Sequence, residues 1–175
     1  MRRDRQTTML FSEAQIAGRI DATAAEIATM QAPPSLVAPI LVGGFVFAAD
    51  LLRALAQRGL SLQVEFLWLR SYAGAHERQF EVEVRVGPGE IVRGRHVLLL
   101  DGVLDHGHTL AKAREILFDA GARAVTTAVA IDKRRSDALL TADFALFTDV
   151  TDFVVGYGMD DSGEERGLPY IAAVG

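Results

Sequence analysis

The sequence predicts an α/β fold: an open, mostly parallel twisted sheet flanked by helices. Three observations carry that prediction. Leu36 to Val42, Val97 to Leu100 and Ala124 to Ile131 are apolar runs of strand length, as expected of strands buried on both faces of a parallel sheet. Each is followed, after a short turn or loop, by a helical or polar segment. Half of the residues are apolar and 7% are aromatic, the make-up of an ordinary globular chain.

In chain order, Ser12 followed by Gln15 reads as a capping box, so a helix is predicted from there to about Met30, where Gln31-Ala32-Pro33-Pro34 ends it. The strand Leu36 to Val42 leads through Gly43-Gly44 into an amphipathic helix carrying Phe45, Phe47, Ala48, Leu51, Leu52 and Leu55. Leu62 to Leu69, with Val64, Phe66 and Trp68, reads as a strand. Charged and apolar residues alternate strictly from Glu81 to Val86, which predicts a half-exposed antiparallel strand before the turn Gly87-Pro88-Gly89. The run Val97 to Leu100 predicts a central strand ending at Asp101. A helix from about Thr109 to Ala120 is closed by Gly121, and strands follow at Ala124 to Ile131 and Ala142 to Phe147.

A length of 175 residues fits one domain, 1–175, with a substantial core. Cysteine is absent, which excludes disulfides and thiolate metal sites. Met1-Arg2-Arg3-Asp4-Arg5 is basic but no long apolar run follows, so neither a signal peptide nor a membrane span is expected and the cytoplasm is the default location. A net charge of −5 argues against a broad nucleic-acid surface. An acidic chain that binds a polyphosphate is expected to recruit Mg²⁺.

The stretch with most chemistry is Asp101 to Leu110. A buried strand delivers it, a helix leaves it, and between them the backbone N–H groups of His106, Gly107, His108 and Thr109 gather at a helix N-terminus, where an anionic phosphate is favoured. Leu104-Asp105-His106-Gly107-His108-Thr109-Leu110, preceded by an acid on a hydrophobic strand, resembles the phosphoribosyl diphosphate (PRPP) loop of the purine phosphoribosyltransferases. A second segment, Phe153-Val154-Val155-Gly156-Tyr157-Gly158-Met159-Asp160, closely resembles the purine-binding segment of the hypoxanthine-guanine phosphoribosyltransferases, and Arg166 with Leu168-Pro169-Tyr170 continues it. The resemblance runs from about Ser12 to Val174 and implies the type I phosphoribosyltransferase fold, with a small hood built from N- and C-terminal segments.

What the resemblance implies can be placed residue by residue. Asp105 is the general base near N7 of the purine, and His106 to Thr109 hold the 5-phosphate. Leu41-Val42-Gly43-Gly44 matches a turn whose backbone binds pyrophosphate, with Val42 where some members carry lysine, and Arg166 grips the same group. Lys133, delivered by the strand before it, donates to O6 of the base, Phe153 stacks on the ring, and the Val154 backbone reads its edge. Ser71-Tyr72 opens a mobile loop that closes over the reacting centre. Asp160 holds Mg²⁺, while Asp101 faces the ribose hydroxyls and the metal.

The implied reaction transfers the phosphoribosyl group of PRPP to a 6-oxopurine, hypoxanthine or guanine. Family members place two adjacent acids after the strand, whereas this chain has Asp101-Gly102, one carboxylate fewer. Two reasons for Gly102 present themselves: a changed, weaker site for PRPP, or a backbone position of positive φ. The alternative to an enzyme is a PRPP- or nucleotide-binding regulator of the same fold. The family's dimers and tetramers, with the many large apolar residues of Gly44 to Leu55, lead to an expected homodimer or homotetramer.

Overall fold

A computed structural model describes residues 6–73 and 80–175 of the chain. Strand β1 (Thr7–Phe11) precedes helix α1 (Glu13–Ala28), whose Ser12 cap accepts from the Gln15 amide while the Gln15 side chain accepts from Ser12, the predicted capping box. β2 (Leu36–Leu41) then feeds α2 (Phe45–Gln57). β3 (Gln63–Val64), β4 (Leu67–Ala73) and β5 (Phe80–Val86) follow, then β6 (His96–Leu104), α3 (His108–Asp119), β7 (Ala124–Asp132), β8 (Phe144–Thr148), β9 (Val154–Val155) and β10 (Ile171–Val174).

Among the described residues, the main sheet has the order β5-β4-β2-β6-β7-β8, with β3 beside β2, and only β5 runs antiparallel to its neighbour. A three-stranded antiparallel sheet, β1-β10-β9, joins the two ends of the chain and forms the expected hood. Phe11 of the hood stacks on Phe147 at the end of β8, their ring centroids 3.7 Å apart.

The apolar run in β6 is buried on both sides, as a central parallel strand requires. Leu98 and Leu100 pack with Phe47, Leu51 and Leu55 of α2 and with Ile16 and Ile20 of α1. Val97 and Leu99 face the other way, against Leu110, Ala113 and Leu117 of α3. Two helical layers thus clamp the strand whose end carries Asp101 and Asp105.

The structure departs from the sequence expectation in several places. β6 does not stop at Asp101 but pairs with β7 as far as Leu104, so Asp101 and Gly102 lie inside the strand. The run Leu62 to Leu69 breaks between Val64 and Leu67, and each half pairs separately with β2. α1 ends at Ala28 with Thr29 as its cap, short of Met30. β1 has no period-2 apolar signal in its sequence and forms because β10 offers it a ladder.

Candidate active site

Three contiguous cavities open at the carboxyl edge of the sheet, where open α/β folds bind ligands, and Asp101 and Ser71 line all three. Asp101 stands at their junction. Its Oδ1 accepts from the Gly102 N–H at 2.7 Å, yet burial outweighs that bond and pushes the carboxyl up to about 7.

The first cavity, of about 300 Å³, is lined by Asp105, His106, Gly107, His108 and Thr109. Gly107 caps α3 at φ +83°, a left-handed conformation, and no side chain occupies the cap. The first N–H groups of α3 therefore face this cavity rather than a capping oxygen. All four residues predicted for the 5-phosphate are brought together here.

The second, of about 390 Å³, gathers Asp105, Lys133, Phe153, Val154 and Asp160. Lys133 Nζ lies 3.2 Å from Asp105 Oδ2, His106 Nδ1 lies 3.2 Å from Oδ1, and Arg135 Nε lies 3.4 Å from the same oxygen. Despite those close nitrogens, Oδ1 is buried without a hydrogen bond among the described residues. Arg135 also grips Asp137 at 2.9 Å, and Asp137 Oδ2 stands 3.7 Å from His106 Nε2, so the loop after β7 folds over the loop after β6. The Leu139 N–H donating to the His106 carbonyl fastens the two. Phe153 leaves 54% of its surface open, while Val154 behind it is buried.

The third, of about 700 Å³, is lined by Val42, Gly43, Thr109, Asp160 and Arg166. The Leu41–Val42 peptide in its wall is cis. Arg166 is held from two sides: it meets Asp160 Oδ1 at 2.7 Å and donates to the Gly158 carbonyl at 2.8 Å. Asp160 Oδ2 also accepts from the Gly163 N–H, closing the turn that carries the arginine.

Gly102 is explained by space, not by φ, because it is absent from the positive-φ positions. A Cβ on Gly102 would stand 2.9 Å from the Gly43 carbonyl oxygen, and one on Gly158 would stand 2.7 Å from the same oxygen. The Gly43 peptide is thus pinched between β6 and the hood, and two side-chain-free residues make room for it.

Ser71 lies near the end of β4 and faces the cavities, and the strand continues through Tyr72 to Ala73. Most of the loop predicted to follow, residues 74–79, lies outside the described residues. Sequence reasoning missed Trp68, Arg70 and Arg85, which all line the third cavity. The plain alternation of the strand around Arg85 gave no hint of it.

Asp101 and Asp160 are the two carboxylates lining the third cavity, and among the described residues no group of three or more His, Cys, Asp or Glu gathers into a metal cage. A pair of carboxylates facing one polar cavity fits Mg²⁺, which keeps several waters and binds through one or two carboxylates plus substrate phosphates.

Residues 6–162 match the phosphoribosyl transferase domain. The chain is 34% identical to the hypoxanthine phosphoribosyltransferase of Escherichia coli K12 over 77% of its own length and 75% of the relative's. It is 30% identical to that of Haemophilus influenzae over 95% of its length and 94% of the relative's. Its fold superposes on the hypoxanthine phosphoribosyltransferase of Trypanosoma cruzi in complex with the product IMP at a TM-score of 0.85, with 28% identity, covering 98% of this chain and 94% of that one. With a matching domain over most of its length, relatives of nearly equal size, and a strand-to-helix loop set at the sheet edge, the chain belongs to the phosphoribosyltransferase family.

Proposed function

We propose that this protein makes a nucleoside 5′-monophosphate and pyrophosphate from PRPP and a 6-oxopurine, as a purine salvage enzyme. The observation that carries the reading is the sharing of Asp101 by three cavities whose linings differ in kind: helix-end amides, a lysine with an open aromatic ring, and a glycine turn with an arginine. A phosphorylated sugar whose reacting carbon sits at that junction has its 5-phosphate, its base and its leaving group each in a chemically matched place.

Each step then falls to a named group. The amides of His106 to Thr109 hold the 5-phosphate. Phe153 stacks on the base, the Val154 backbone reads its edge, and Lys133 donates to O6. Asp105 takes the proton from N7 of the purine as N9 attacks C1 and pyrophosphate leaves. The Val42-Gly43 backbone and Arg166 bind the departing pyrophosphate. Asp101 and Asp160 would hold Mg²⁺, which would supply charge neutralisation to the leaving group. Ser71, near the end of β4, faces the reacting centre.

The chain is read as one domain acting in the cytoplasm, in keeping with the absence, among the described residues, of any helix long and apolar enough to cross a membrane. It is read also as a homodimer or homotetramer, with the exposed Phe45 of α2 in a contact; light scattering at micromolar concentration tests this, and a monomer there refutes it. For a related Trypanosoma cruzi enzyme, the C-terminal region has been studied for its role in oligomeric state and activity.

Mixing the protein with PRPP, Mg²⁺ and each of hypoxanthine, guanine, xanthine and adenine tests the reading. Pyrophosphate release with a 6-oxopurine is the expected result. Tight binding of nucleotide with no release from any base would instead identify a regulator.

A further inference from the structure

The edge strands beside the third cavity carry a cation that the roles above leave unused. Across β4 and β5, Trp68 pairs with Val86 but Leu69 pairs with Val84, so the register skips Arg85. That is a bulge on β5, and bulges beside active sites re-aim side chains. Here the Arg85 guanidinium carbon comes to rest 5.3 Å from the centre of the Trp68 ring. Glu83 accepts from Nε at 3.2 Å. Both Arg85 and Trp68 line the cavity that holds Val42, Gly43 and Arg166. Trp68 is not core filling: the residue is 38% exposed while Leu67 and Leu69 on either side are buried.

The charge in that cavity calls for such a group. Asp101 and Asp160 already line it, and the turn at Val42 brings no charge to it. A polyanion entering there meets Arg166 and is held more firmly if β5 also supplies positive charge. A guanidinium suits the task, because it is planar, weakly hydrated, able to stack on an indole, and able to meet a phosphate with paired N–H groups.

We propose that Arg85, positioned by Trp68, is a pyrophosphate-binding residue of this protein, supplying from β5 the positive charge that Val42 does not. The proposal rests on the reading of the third cavity as the leaving-group site. Trp68 acts through Arg85 and is a positioning residue.

The test is calorimetric titration of magnesium pyrophosphate into the protein, with initial-rate kinetics alongside. Arg85→Gln should weaken pyrophosphate binding and raise KM for PRPP by roughly 10- to 100-fold, the loss of a charge-assisted contact, while KM for the purine base stays unchanged. Arg85→Lys should recover part of the affinity. Trp68→Leu, which keeps the charge and removes its platform, should shift the same two constants by roughly two- to fivefold. Wild-type affinity in a folded Arg85→Gln protein overturns the proposal and leaves the enzymatic reading standing. Should that variant misfold, an unchanged pyrophosphate affinity in Trp68→Leu overturns it. If the wild-type protein itself binds no pyrophosphate, the leaving-group reading fails and this inference fails with it.

Discussion

The ammonium of Lys133 lies 3.2 Å from Oδ2 of Asp105, so the residue assigned to the base's oxygen and the residue assigned to its proton hold one another. Lys133 is only 12% exposed, and its reach is set by the end of β7, where its N–H donates to the Leu104 carbonyl of β6. The pair is therefore positioned by two parallel strands before any ligand arrives. On the proposed roles, a 6-oxopurine would exchange this ion pair for a donor at O6 and an acceptor at N7.

The first prediction is that the two residues act as a unit. Asp105→Asn should lower kcat by ~10²–10⁴ and leave nucleotide affinity nearly intact. Lys133→Ala should raise KM for the 6-oxopurine, and the double variant should lose less than the two losses added together, since neighbouring groups couple. Full turnover by Asp105→Asn would remove the base from the mechanism.

Base choice follows from the same lysine. An amino group in place of O6 leaves the Lys133 donor without a partner, a penalty of ~1–3 kcal/mol. Hypoxanthine should therefore be preferred to adenine by roughly 5- to 150-fold in kcat/KM, and Lys133→Ala should narrow that ratio. Equal use of the two bases by the wild-type protein contradicts this.

A pH dependence follows from Asp101. Its carboxyl is raised from 3.8 to about 7 by burial, so the folded protein holds this proton more tightly than the unfolded chain does. Between those values the folded state keeps the proton that the unfolded state has lost, and stability falls as pH rises. Each pH unit in the window costs at most ~1.4 kcal/mol, less because part of the side chain meets solvent. Asp101→Asn removes this dependence. Relative to wild type, it should gain urea resistance at pH 8 over pH 5; a difference that stays flat with pH would exclude a buried, raised carboxyl. Mg²⁺ with PRPP, by favouring the ionised form, should reverse part of the trend in the wild-type protein.

Much of the site was legible because its signals are local. The apolar run before Asp101, the Gly107 that alone fits a left-handed cap, and the lysine after a buried strand each declare themselves within a few residues of chain. The hood was readable only through resemblance, as β1 has Met9 largely exposed and pairs with a strand more than 150 residues away. Arg85 was hidden for a different reason: a skip in strand register changes where a side chain points without altering the sequence pattern. Gly102 was read as an absent carboxylate because its neighbour across the site, the Gly43 carbonyl, is 59 residues away in the chain.

Gly102 yields the last prediction. From the sequence, restoring the second acid should tighten PRPP binding, but the structure opposes it: a Cβ there meets the Gly43 backbone oxygen at 2.9 Å and the Met159 side chain at 3.2 Å. Methionine can swing away. The peptide cannot do so freely, because Gly158 closes on the same oxygen from the hood. Gly102→Ala should thus cost ~1–3 kcal/mol by overpacking, roughly 2–12 °C in Tm for a chain of this size. The displaced turn carries Val42 and Gly43, so pyrophosphate and PRPP should bind more weakly while 5′-monophosphate, held at the far cavity, is less affected. Gly102→Asp adds a carboxylate to the same strain, and its PRPP affinity should fall below that of the wild type. A stable Gly102→Asp protein that binds PRPP more tightly than wild type would show that the missing acid, not the backbone contact, governs this position.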